Sequence, residues 1–186
     1  MKISMYQASA PRFANALRNL SAILDKAQAW SEAKKIDPAV PGSLRLIADM
    51  FPLARQVQIA CDTAKGAVAR LAGVEIPKHE DTEKTIPELK ARIAKTLDFI
   101  ESVPAAKVDG SEEREVVMKM RSGDVKFSGL QYLMGHAYPN FYFHCTTAYN
   151  ILRANGVELG KRDAQAIDHW TFLGTLDANE LAAHPK

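Results

Sequence analysis

Four long stretches of this chain repeat apolar residues at three- and four-residue spacing. That period lines up one stripe of side chains along one face of an α-helix. A chain with four such stripes must bury them against one another, so the expected fold class is all-α, a helical bundle. The first stretch runs from Met5 to about Lys35 and carries Phe13, Leu17, Leu20, Ile23, Leu24 and Ala27 on its stripe. Pro11 lies in its first turns, where a missing amide donor costs least, so regular helix is expected to begin near it. The second runs from Ser43 to about Leu71 and contains Pro52, which predicts a kink or a split because proline removes a backbone bond. Beyond Pro52, the small residues Ala60, Ala64, Gly66, Ala67 and Ala69 permit close approach by another helix, and Gly73 suits a left-handed C-cap. The third stretch opens on the capping signature Thr85-Ile-Pro-Glu88 and ends near Ser102. The fourth runs from Ser128 to Val157, with a bend expected near Pro139 and a stop at Asn155-Gly156.

Between the third and fourth stretches the period drops to two. From Glu113 to Phe127, Val116, Met118 and Met120 alternate with Val117, Lys119 and Arg121, and Ser122-Gly-Asp124 is turn chemistry. This predicts a small β-hairpin, which must lie against the bundle because a lone hairpin is marginal in water.

The remaining bounds come from size and charge. The chain has 186 residues, enough for one domain that buries roughly 70% of its unfolded surface. A formal net charge of +2 with interspersed signs argues against a nucleic-acid surface. No apolar run approaches the ~20 residues that span a bilayer, and the first residues lack the apolar core of a signal segment, so a cytoplasmic location is expected. Cys61 and Cys145 fall inside helical patterns and read as free buried thiols.

The chemistry concentrates in the fourth stretch. His136, Asn140, His144 and Ala148 lie four apart, so they form a row along the helix, flanked by Phe141, Tyr142 and Phe143. Buried imidazole and amide groups need partners, and the second helix offers Gln56, Gln58 and Asp62, with Gln58 and Asp62 on a shared face. Two readings are open. One is a small polar site between helices two and four that holds a divalent ion or a polar ligand. The other is a network satisfied within itself, for example His144 bonded to Gln58. Cys145 adjoins His144, but helix neighbours point about 100° apart and make no nucleophile–base pair. His79, in the mixed-charge run KHEDTEK, reads as a solvated loop residue, and Asp168, His169 and His184 as solvent-facing.

Three segments, MYQASAPRFANALRNLSAILDKA, DMFPLARQVQIACDTAKGAVARLAGVE and PNFYFHCTTAYNILRANGVELGKRD, together resemble an uncharacterised, domain-of-unknown-function branch of the DinB-like (YfiT-like) superfamily. The resemblance covers about residues 1–163. It implies an up-down-down-up four-helix bundle, often dimeric, in which many members hold a divalent metal with three histidines. One of these comes from helix two, and two, four apart, come from helix four. Counting back from Leu152-Arg153 and Gly156, His144 falls on the second histidine of the helix-four pair and Asn140 on the first. His136 falls on an upstream position that is often histidine but not usually a ligand. Gln58 is the nearest match to the helix-two histidine. One of three family ligands is therefore histidine here.

The domain expectation is a bundle over residues 1–163 and a tail over 164–186. The tail is partly helical, sticky around Trp170, Phe172 and Leu173, and packs on the bundle or on a partner subunit. The functional expectation is a non-catalytic, homodimeric binding or scaffold protein with no metal, open to a small-molecule ligand. The alternative is a transferase or hydrolase of DinB-like type using zinc, nickel or manganese at Gln58, Asn140, His144 and Asp62. A further alternative is a metal-free enzyme with His144 as general base.

Overall fold

The computed structural model describes residues 3–120 and 123–165. Four long helices carry the core: α2 (Ala10–Ala33), α4 (Leu53–Ala72), α5 (Ile86–Ser102) and α8 (Tyr138–Ala154). Short helical turns α1 (Met5–Ala8), α3 (Val40–Ser43), α6 (Ala105–Val108), α7 (Gly129–Tyr132) and α9 (Lys161–Ala164) link or extend them, and β1 (Glu115–Met120) pairs with β2 (Gly123–Ser128).

Each proline does what its missing N–H requires. The first stretch is broken at buried Ser9, whose backbone leaves helical geometry (φ −123°, ψ −80°), and Pro11 follows in the first turn of α2. The Ser9 hydroxyl donates to the Met5 carbonyl at 2.6 Å, and the Tyr138 hydroxyl donates to the Ala8 carbonyl, so the break leaves those groups partnered. Pro52 splits the second stretch instead of kinking it: it is the N-cap of α4, in extended geometry. Pro139 sits at the start of α8, directly after a π-helical turn over Leu133–Ala137. Within that turn the Tyr138 N–H reaches back five residues to the Leu133 carbonyl. The extra residue is how the helix absorbs the proline. The helix stops as expected at Gly156, with φ of 96°.

The helix order around the bundle follows from the contacts. α4 packs most extensively on α8 and on α5, and α5 also packs on α2. Lys90 pairs with Asp25 and Glu101 with Arg18, so α2 and α5 are antiparallel. His144 meets Gln56 and Asn140 meets Thr63, so α4 and α8 are antiparallel as well. At Gly42 an added Cβ would lie 2.0 Å from the Lys84 carbonyl oxygen and 3.8 Å from Ala54, which places the start of α5 beside the start of α4. α4 and α5 therefore run parallel, and the bundle is up-down-down-up. The hairpin stands before the last long helix. Val116 is buried, paired with Phe127, and the Arg114 side chain donates to the Leu71 carbonyl at the end of α4.

A parallel pair needs a connection that returns the full length of the first helix. Residues 73–85 do this, and buried Arg92 of α5 pins them. Its Nη1 donates to the Glu80 carbonyl at 2.9 Å and to Glu83 at 3.1 Å; its Nη2 lies 2.8 Å from Asp62 and 2.9 Å from Asp81. His79, within the same crossover, is half-buried rather than solvated, with Nδ1 buried and without a hydrogen-bond partner among the described residues. The tail beyond residue 165, with Trp170 and the histidines at 169 and 184, lies outside the described residues.

Arg92→Ala removes the fork while leaving Asp62 and Asp81, each about 40% exposed, partly solvated. Loss of a fully buried partner costs ~3–5 kcal/mol, and solvation reduces it, so a loss of about 2–3 kcal/mol is expected in urea denaturation. Arg92→Lys is expected to recover less than half, since one ammonium cannot bond in both directions of the fork.

Candidate functional site at the α4–α8 face

The five residues singled out in the sequence divide between two faces and a third location. Gln56 and Gln58 are two residues apart on α4, so their side chains point about 200° apart. Gln56 faces α8. Gln58 faces the crossover, where its amide donates to Glu83 Oε2 at 3.0 Å. Asp62 shares the Gln58 face, as its spacing requires, and lies 2.7 Å from Lys65 and 2.8 Å from Arg92. The partner of His144 is thus Gln56 and not Gln58. His136 lies inside the π turn, which breaks its four-residue row with Asn140. It stacks on Tyr132 (centroids 5.7 Å apart, planes at 22°) and lies beside Phe127 of the hairpin.

On the α4–α8 face, Asn140 Nδ2 donates to Thr63 Oγ1 at 2.7 Å, and His144 Nδ1 lies 2.6 Å from Gln56 Oε1. The protonation pattern can be worked out along the chain of bonds. Gln56 Nε2 donates to the Phe51 carbonyl at 3.0 Å, which fixes the amide orientation and leaves Oε1 as acceptor. Nδ1 of His144 must then carry the proton, and the Nε2 lone pair is the one left over. Among the described residues Nε2 makes no hydrogen bond. Burial, with a smaller contribution from the Arg55 charge, lowers the His144 pKa from its ordinary value, so the ring is neutral at pH 7. Phe143 lies edge-on to the imidazole at 5.2 Å, and Phe143 and Phe51 are each more than half exposed. A neutral, oriented acceptor thus sits next to one exposed aromatic side chain, Phe143.

As a metal centre the arrangement does not fit the three-histidine pattern. Among the described residues His144 is the single imidazole on this face, Asn140 is committed to Thr63, and Gln58 points away. Among the described residues no group of three or more His, Cys, Asp or Glu side chains is placed to hold a metal ion. Cys61 and Cys145 are free thiols, and burial raises the pKa of both. Sequence reasoning offered Gln56 among the candidate partners without assigning it to His144, and it missed Arg92 with Glu83 as the hub of the other face. Two features carried the signal: the placement of Gln56 seven residues before Thr63 on the α8-facing side, and an arginine within the apolar period of α5.

A bundle of four helices with this handed crossover and one hairpin defines a DinB-type fold. Residues 5–164 match the family described as domain of unknown function (DUF1993), and the chain belongs to that family. Among solved structures it is similar to a DinB family member protein from Shewanella denitrificans, whose crystal structure was determined at 1.83 Å. The identity is 46% and the TM-score 0.80, over 86% of this chain and 90% of that one. A search of curated proteins finds no match. No helix among the described residues is long and apolar enough to cross a membrane.

The depressed histidine pKa values set a pH dependence. His144 is lowered chiefly by burial; His79 is lowered by burial, then by Lys65 and Arg92. Both bind a proton in the unfolded chain near pH 6.5 but only at lower pH when folded. Their contribution to stability is therefore complete above about pH 6.5 and declines as pH falls through the lowered folded values. Urea midpoints are expected to drop between pH 7 and pH 5, above the range where carboxylates titrate. His144→Gln is expected to flatten that slope, and an unchanged slope would remove His144 from the account.

Proposed function

We propose that this protein is a homodimeric, non-catalytic binding protein whose small-molecule ligand donates a hydrogen bond to His144 Nε2 and lays an apolar body against Phe143. The observation that carries the reading is the relay from the Phe51 carbonyl through Gln56 to His144, which orients a neutral imidazole and leaves one acceptor unused. Asn140 and Thr63 satisfy each other one turn away, so they add shape and little further valence. The family and the similar structure support the fold of such a module and leave its ligand to this chemistry. Exposed Leu130 and Met134, four apart on one side of the helix, support a self-associating surface.

Phenol and indole are suitable probes, each an aromatic body with one donor. The expected outcome is a saturable shift of the His144 Nε2 nitrogen resonance at millimolar probe, absent in Phe143→Ala. No shift with either probe would sink the binding reading. Elemental analysis of protein purified without chelator separates the alternative: stoichiometric zinc, nickel or manganese lost in His144→Ala would favour a metal-dependent transferase or hydrolase. Light scattering that gives a monomer mass at high micromolar concentration would defeat the homodimer.

A further inference from the structure

A second concavity lies on the opposite side of α8. Between α2 and α8 there is a groove of about 320 Å³, floored by Leu20 and Ile23 and walled by Tyr142, Cys145 and Tyr149. Its far end is closed by α9, where Ala164 and Gln165 belong to the lining. α9 is held there by an ion pair of 2.6 Å between Lys26 of α2 and Asp163, whose carboxylate also accepts the Gly160 N–H at 2.8 Å. Tyr142 leaves 43% of its surface exposed on this side, large for an aromatic side chain in a groove floored by leucine and isoleucine.

We propose that the groove is the docking site of the chain's own C-terminal segment, residues 166–186, with Trp170 as the side chain that fills it. The first argument is position: the described chain ends as part of the groove wall. Trp170 is five residues beyond Gln165, and Phe172 and Leu173 follow within eight. The second argument is reach. From Tyr142 to Asn150 the groove follows α8 for about 12 Å at 1.5 Å per residue. Five residues span ~8 Å as helix and ~17 Å extended, so Trp170 arrives along that length in either conformation. The third argument is chemistry. An indole or phenyl ring buries about 150–250 Å², and the lining pairs apolar Leu20 and Ile23 with two aromatic rings, Tyr142 and Tyr149, against which such a ring packs. The fourth is the extent of the family match, which ends at residue 164. The segment is an addition to the shared bundle, and the groove is the concavity it meets first.

The test uses the full chain. Trp30 and Trp170 are its two tryptophans, so Trp30→Phe leaves Trp170 as sole reporter. Should that variant not fold, the wild-type spectrum minus that of Trp170→Phe gives the same signal. The expected result is blue-shifted emission and acrylamide quenching at least threefold weaker than for a free tryptophan amide, at all protein concentrations. Thr146→Arg, placed on an exposed groove residue, is expected to red-shift the emission and restore quenching. Quenching as efficient as for the free amide would overturn the proposal. So would protection that Thr146→Arg leaves unchanged, which would put the segment elsewhere. Protection that appears only as concentration and mass rise together would assign the groove to a second copy and overturn it too.

Discussion

The architecture depends on one constraint: α4 and α5 are parallel. Antiparallel neighbours can be joined by a few residues, whereas parallel ones need a return segment as long as the helix itself. That segment, 73–85, crosses over a surface that would otherwise be the apolar seam between the two helices. Its backbone and its charges have to be satisfied there. Arg92 meets the requirement. It is buried inside α5, and its planar fork bonds a backbone carbonyl and carboxylates on both the crossover and α4. Lysine, a single point charge, could not serve those directions together. The order of helices around the bundle, and hence which helix faces α8, follows from this arrangement.

With α5 and the crossover on one side and α8 on the other, α4 is almost wholly buried and carries two separate polar systems. Gln58, Asp62 and Lys65 belong to the Arg92 side, where charges of both signs compensate each other. Gln56 and Thr63 belong to the α8 side, where the partners are neutral. The division matters for chemistry. Charged groups around Arg92 hold each other in fixed pairs and are poor candidates for binding a ligand. The neutral side retains one acceptor, His144 Nε2, that makes no hydrogen bond among the described residues.

Much of this was legible in the residues. The three-four stripes of Phe13, Leu17, Leu20 and Leu24, and of Leu89, Ile93 and Ile100, marked the buried faces directly, because burial and helical period are coupled. Glu88 reaching back to the amides of Lys84 and Thr85 was readable from its spacing to Thr85. Pro52 was ambiguous between kink and split. In the split, residues 44–52 form a largely exposed loop, closed where the Leu53 N–H donates to the Leu44 carbonyl at 2.8 Å. The π turn before Pro139 had no signal of its own, since a one-residue insertion leaves composition untouched. It displaces His136 from a row that α-helical spacing alone would have kept. Gln56 and Gln58 could not be told apart until the packing of α4 was known. The charge run at 78–84 resembled solvated loop, because nothing local reveals that an arginine ten residues on would bury against it.

The seam between α4 and α8 shows how a bundle can carry buried polar side chains in its interior. Removing an imidazole from the interior leaves whatever it bonded without a partner, at a cost of about 1–3 kcal/mol for each group stranded. Here the polar groups are matched in complementary pairs, an amide with a hydroxyl at Asn140 and Thr63, and an imidazole with an amide at His144 and Gln56. Each pair spans α4 and α8, so each also fixes the register of the two helices. A charge-neutral seam of this kind needs no ion to hold its side chains together, whereas three converging imidazoles without one would leave lone pairs facing each other.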